Sequence, residues 1–133
     1  MISENLKVSK INILIVEDNI PTQNLFRRIL ELSGFRVVDC ADNGYEAVEK
    51  YKKLIRNSND KPDVILMDHH MPLKTGIDAT KEIKKLNGNV KIIFTSGDTQ
   101  IKKEAIAIGA VDFIEKPCDI AKMIKSISNA LAT

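Results

Sequence analysis

Two cysteines and two histidines are all the thiol and imidazole ligands that this chain of 133 residues offers a metal. Cys40 and Cys118 lie far apart and show no paired ligand spacing, so no zinc site is expected and both thiols are read as free. His69 and His70 are neighbours with no further histidine to join them. No uninterrupted apolar run reaches membrane-spanning length, and the polar start Met1-Ile2-Ser3-Glu4-Asn5 lacks the form of a signal peptide. A cytoplasmic protein without membrane partners is therefore expected. Charge of one sign is scarce too: the formal net charge is +2, and the lysines are spread along the chain. A nucleic-acid binder of this size gathers its positive charge on one element, so no nucleic-acid partner is expected. Lys84-Lys85 and Lys102-Lys103 read as solvated helix faces. Internal repeats and low-complexity tracts are absent as well.

What the chain does have is an ordinary globular composition, 44% apolar and 29% charged, at a length that suits one domain. Its organising stretch is Asp63-Val64-Ile65-Leu66-Met67-Asp68, an apolar run between Pro62 and Pro72 that stops on a carboxylate. Such a run reads as a strand buried on both faces. Residues 1–10 read as a loose lead-in, and strands are expected at 11–16, 35–40, 63–68, 90–96 and 111–115. Between them lie helical patterns. The first is capped by Asn19, carries Pro21 in its first turn and Leu25, Phe26, Ile29, Leu30 and Leu32 on its apolar face, and is closed by Gly34. A second follows Asp42-Asn43-Gly44 with Ala47, Val48 and Tyr51 at helical spacing. A third covers 77–86. A fourth is capped by Asp98, runs through Ala105, Ile106 and Ile108, and stops at Gly109. The last, capped by Asp119, carries Ile120, Met123, Ile124, Ile127 and Leu131.

Five strands alternating with five helices specify an α/β fold of right-handed βαβ units, a parallel sheet covered on both faces. Glu17-Asp18, Asp68, Ser96 and Lys116 each fall at the carboxyl end of a different strand, so one edge of the sheet should gather them. Three bare carboxylates in one crevice repel one another, and a divalent cation removes the conflict. An all-oxygen donor set selects a hard ion such as Mg²⁺, with Mn²⁺ an acceptable substitute. Asp18 and Asp68 are assigned as direct ligands, Glu17 as acting through a water, and a backbone carbonyl just past Asp68 as a further oxygen. Lys116 suits a phosphoryl oxygen, or Asp68 before modification, and Pro117 fixes the backbone beyond it. Ser96 offers a hydroxyl, and Gly97 a close backbone approach. Carboxylate, metal, lysine and hydroxyl together describe phosphoryl transfer onto an aspartate.

Val-Glu-Asp-Asn at 16–19, Met-Asp-x-x-Met-Pro at 67–72 with Gly76 beyond, Thr-Ser-Gly at 95–97 and Lys-Pro at 116–117 resemble the receiver domain of two-component response regulators. The likeness spans residues 11–131 and rests on four motifs in order. It implies a CheY-like, flavodoxin-like three-layer sandwich, (βα)5, with strand order 2-1-3-4-5 and a site at the strand carboxyl ends. It implies Asp68 as phosphoacceptor, charged by a sensor histidine kinase or phosphotransfer protein, with Glu17, Asp18 and the His70 main-chain carbonyl at the metal. Ser96 would be the hydroxyl that moves toward the phosphoryl group, Lys116 its cationic partner, and Phe113 the aromatic that swings inward. That swing would remodel the face of fourth helix, fifth strand and fifth helix, to control a separate output protein or to form a phosphorylation-dependent dimer from monomers. Beyond self-phosphorylation and autodephosphorylation no enzyme activity is implied. Only a couple of residues follow the last helix, so an attached output domain is not expected unless the chain is a fragment.

His70 and Asp98 depart from the commonest family pattern, at positions that flank the attacking water in dephosphorylation. The two side chains are expected to approach each other and tune the lifetime of the acyl phosphate. Thr95 reads as a packed structural neighbour of Ser96, Asp112 as a solvated charge, and Cys118 as a small packed hydrophobe. The rival is a metal-dependent phosphoesterase, because Asp68-His69-His70 also spells the signature of the DHH enzymes. Those are longer and carry further Asp/His motifs that this chain lacks.

Overall fold

The computed structural model describes residues 10–132; the expected lead-in, apart from its last residue, lies outside the described residues. Five parallel strands, β1 (Asn12–Val16), β2 (Arg36–Ala41), β3 (Val64–Asp68), β4 (Lys91–Ser96) and β5 (Asp112–Glu115), pair in the order β2-β1-β3-β4-β5. The connecting helices are α1 (Ile20–Leu32), α2 (Gly44–Leu54), α3 (Gly76–Leu86), α4 (Lys102–Ala107) and α5 (Ile120–Ala130). β1 and β3 are buried at every position because neighbours pair on both sides and helices cover both faces.

The strand period of two divides the core. Leu14, Val16, Ile65, Met67, Ile92 and Phe94 point to one side, where Ala47, Val48, Tyr51, Ile77, Ile83 and Ala105 of α2, α3 and α4 meet them. Ile13, Ile15, Val64, Leu66 and Ile93 point to the other, against Phe26 and Leu30 of α1 and Met123 and Ile127 of α5. Each connecting helix starts at the carboxyl-end edge of the sheet and carries the chain back to the opposite edge, so the side chains that follow the strands all gather at one edge. No helix among the described residues is long and apolar enough to cross a membrane.

The expected caps hold: Asn19, Asn43 and Asp119 each accept main-chain N–H groups at the start of α1, α2 and α5. Gly34 and Gly109, at φ +95° and +109°, close α1 and α4. Several details differ from the sequence reading. Leu25 and Leu32 lie on the outer face of α1 and are exposed, while Gln23 takes a buried place beside Phe26 and Leu30. Asp98 caps a 3₁₀ turn, Thr99–Ile101, rather than an α-helix; α4 proper follows with six residues, and its Ile106 is exposed. Lys84 is not a solvated side chain, since its ammonium folds back to donate to the carbonyls of Gly88 and Val90. Leu131 lies beyond the end of α5 and is exposed. Both cysteines are free thiols, and burial raises each above its ordinary value.

Candidate functional site

Glu17-Asp18 follow directly on β1, Asp68 ends β3, Ser96 ends β4 and Lys116 follows β5. The fold brings all of them to one crevice. Carboxylate oxygens of Glu17, Asp18 and Asp68 lie within 4.8 Å of one another. Glu17 and Asp68 are buried, and Asp18 stands exposed at the mouth. Lys116 reaches in from β5, its Nζ 2.8 Å from Glu17 Oε1 and 3.3 Å from Asp68 Oδ1. The shorter contact goes to Glu17, a partner the sequence reading did not give it.

Burial is the main reason that the Asp68 carboxyl is pushed up to about 7. The Glu17 charge and a hydrogen bond with Asp18 add to this, and the Lys116 ammonium opposes it without cancelling it. Burial works against the Lys116 charge as well, but its bonds to Glu17 and Asp68 outweigh that and raise it above an ordinary lysine. One cation against three carboxylates leaves the crevice short of positive charge.

That shortage, the hardness of the oxygens and the half-open mouth fit a small divalent cation with part of its water shell retained. Glu17 is the least free of the three, since both its oxygens are engaged, Oε1 by Lys116 and Oε2 by the Asn19 main-chain N–H at 3.1 Å, whereas Lys116 and the His69 N–H both fall on Oδ1 of Asp68. Asp18 and Asp68 have the freer oxygens. None of the described groups of this kind contains a histidine, so the geometry does not favour the phosphoesterase reading.

Glycine is required at two points in the frame of this crevice. A Cβ on Gly76 would sit 2.1 Å from the Asp68 carbonyl, so α3 can start against the end of β3 only with glycine there. A Cβ on Gly44 would sit 2.2 Å from the Lys74 carbonyl, to which Gly44 donates its N–H at 3.1 Å. The loop between β3 and α3 is thus held between the starts of α2 and α3, and the Lys74–Glu82 ion pair ties it to α3. Within it Leu73 takes φ +70° with its side chain exposed. Gly97, by contrast, has open space where a Cβ would go, so close approach does not require glycine there.

Ser96 is buried, and its Oγ accepts the Asp98 N–H at 3.1 Å. Asp98 Oδ2 in turn lies 3.0 Å from His70 Nε2, and the hydrogen bond from the His70 ring holds Asp98 below the usual carboxylate range. The expected approach of these two side chains is therefore present. Thr95 is buried at the end of β4. Phe113 is buried in the core beneath α4 and lines a surface cavity of about 580 Å³ together with Thr99, Lys102 and residues of α5. Asp112 is exposed but not merely solvated, since it accepts from Ser126 Oγ at 2.5 Å.

The sequence singled out His69 only within the Asp68-His69-His70 signature of the rival reading, and Gln23 not at all. His69 is buried edge-on to His70, and burial, then the charge of His70, lower it below an ordinary imidazole; its Nδ1 has no hydrogen-bond partner among the described residues. Gln23 donates from inside α1 to the main chain of Glu17. The spacing of Gln23, Phe26 and Leu30 at i, i+3, i+7 was the available signal for the second.

The response regulator receiver domain profile matches residues 13–128. The chemotaxis protein CheY of Thermotoga maritima is 42% identical over 118 residues, covering 87% of this chain and 93% of its own. CheY of Bacillus subtilis is 40% identical over 121 residues, 90% of this chain and 96% of its own. Among solved structures, the CheX-CheY-BeF3-Mg complex from Borrelia burgdorferi superposes with a TM-score of 0.81 at 34% identity, covering 90% of this chain and 87% of that one.

Proposed function

This chain belongs to the response regulator receiver family of two-component signalling, and from that membership we propose that Asp68 is its phosphoacceptor. The observation that carries the proposal is the convergence of Glu17, Asp18, Asp68 and Lys116, drawn from three strands, on one buried carboxylate. The donor is the phosphohistidine of a sensor kinase or a phosphotransfer protein. An Asp68 oxygen forms the new P–O bond as the P–N bond to the donor imidazole breaks, and the imidazole nitrogen keeps the electron pair.

Mg²⁺, held by Asp18, Asp68 and the His70 main-chain carbonyl with Glu17 behind a water, would neutralise charge on the transferring group. An ion held there would supply the positive charge that lets Asp68 act as an ionised nucleophile at neutral pH, against the burial and the Glu17 charge that raise its carboxyl. Lys116 is placed to leave Glu17 for a phosphoryl oxygen, and Ser96 to donate its hydroxyl to another. Ser96 keeps its own hydrogen to donate, because its Oγ only accepts the Asp98 N–H. A shift of Ser96 toward the phosphoryl group would pull on that link and so move the start of the 3₁₀ turn and, through Phe113, the face formed by α4, β5 and α5. On that face a separate output protein docks, or two phosphorylated monomers pair. The protein works in the cytoplasm as a phosphoacceptor, with only self-phosphorylation and autodephosphorylation as its own chemistry. The relative from Borrelia, solved as a complex with CheX, BeF3 and Mg, supports both the ion and the use of a protein partner.

Incubation with acetyl phosphate and Mg²⁺ followed by intact mass tests the reading. One phosphate is expected with Mg²⁺ present and none with chelator; equal labelling in both would remove the metal from the account. The His70–Asp98 pair, standing over the acyl phosphate, shields it from water. His70→Ala is expected to change the decay of the phosphoprotein about two- to tenfold and to alter its pH profile. An unchanged rate at both pH 6 and pH 8 would end that role.

A further inference from the structure

Resting on the reading of the crevice as a Mg²⁺ site, we propose that Gln23 is the positioning residue that sets Glu17 and Asp18 in register with Asp68. Gln23 occupies the sheet-facing stripe of α1 and is buried, a place where an amide is costly unless its hydrogens are used. They are used on the site. Its Nε2 donates to the Glu17 carbonyl at 3.0 Å and to Asp42 Oδ1 at 2.8 Å, with Ala41 O at 3.3 Å sharing one of the two hydrogens. Ala41 O also receives the Glu17 N–H at 3.0 Å.

Glu17 is thus held on both sides of its main chain, by β2 through its N–H and by α1 through its carbonyl. The carbonyl that Gln23 holds belongs to the peptide that leads into Asp18. Glu17 has its carboxylate fixed independently, by Lys116 and by the Asn19 N–H. Asp18 is exposed, so its place relative to Asp68 is set through that peptide. Asp42, the third acceptor, donates its own N–H to Glu46 Oε1 at the start of α2. One buried amide therefore joins the β1–α1 turn, the end of β2 and the start of α2. Partners of this kind, which orient metal ligands without touching the metal, change metal affinity more than they change fold.

The test compares the full chain with Gln23→Met, which keeps length and volume but has no N–H to give. Mg²⁺ affinity of the unphosphorylated protein is read by titration calorimetry, and the rate of labelling by phosphoramidate is read at saturating Mg²⁺. The expected result is a ten- to hundredfold weaker Mg²⁺ affinity with a saturated rate within about twofold of wild type. Asp42→Ala, which leaves the Gln23–Glu17 bond in place, is expected to weaken Mg²⁺ by about threefold or less. Unchanged affinity in Gln23→Met would overturn the assignment. If that variant fails to fold, or loses affinity and saturated rate together, an NMR titration of the wild-type chain decides. The Gln23 side-chain NH₂ must then shift in step with the Asp18 amide, and resonances that do not move overturn it. A wild-type chain that binds no Mg²⁺ and takes no phosphate would instead defeat the functional reading itself.

Discussion

Asp68 sits where a carboxylate is least comfortable, out of water and beside a second carboxylate, and that discomfort has a measurable sign. Its folded value near 7 lies above the ordinary 3.8. Between those two values the folded metal-free protein holds a proton that the unfolded chain has released, so this group's contribution to stability is full below about pH 4 and is lost as pH rises to about 7. Asp98 shifts the other way, so the comparison must isolate Asp68. Urea unfolding of wild type and Asp68→Asn in chelator should show a stability difference that grows in favour of the variant from pH 5 to pH 8. Parallel pH profiles would contradict the burial argument. Thr80 poses a second problem of the same kind: it is fully buried in α3 and its Oγ1 has no hydrogen-bond partner among the described residues. Thr80→Val, of equal shape, should raise stability by about 1 kcal/mol in the same assay. Asp68, Asp18 and Lys116 were legible in the sequence because each ends or follows an apolar run. Gln23, Thr80 and the burial of His69 were not, since what makes a polar side chain tolerable in a core is a partner or packing from elsewhere in the chain.

At the level of elements, periodicity located every strand and helix, and the errors have physical causes. The apolar count on α1 included Leu25 and Leu32, but one helix face meets the sheet, and Gln23 displaced them because its amide had acceptors waiting. Asp98 supplied a cap signal, yet its first use is on a 3₁₀ turn, where the side chain accepts from Gln100 N and the main chain from Ile101 N. The loop between β3 and α3 is under tension. Leu73 is a bulky residue at φ +70°, held there by the anchors on Lys74 and Gly76. Its exposed side chain packs little against the fold. Leu73→Gly should therefore raise stability by about 0.5–1 kcal/mol, the relief of left-handed strain less the added freedom of glycine. A loss of stability on thermal unfolding would show that the Leu73 side chain makes contacts that outweigh the strain.

Over the whole molecule, function follows from topology. Right-handed crossovers put every strand's carboxyl end at one edge, so residues as far apart as Glu17 and Lys116 come within 2.8 Å. The order β2-β1-β3-β4-β5 places β1 and β3 side by side, which sets the acidic pair next to Asp68. This much followed from the sequence pattern and the family resemblance. Which neighbour takes Lys116 did not, because it depends on distances within the crevice rather than on chain order. An ion that joins the folded crevice and not the open chain should stabilise the fold by about 2.7 kcal/mol at a hundredfold excess over its Kd. That gain should increase from pH 6 to pH 8 as Mg²⁺ no longer competes with the Asp68 proton. The central claim is the identity of the acceptor, and site-resolved phosphate mass after phosphoramidate treatment tests it most directly, because that reagent can also label histidine. Wild type and a His69→Ala/His70→Ala double variant should each gain one Mg²⁺-dependent phosphate on the peptide carrying residue 68, and Asp68→Asn should gain none. Phosphate that persists in Asp68→Asn, or vanishes with the two histidines, would contradict the account.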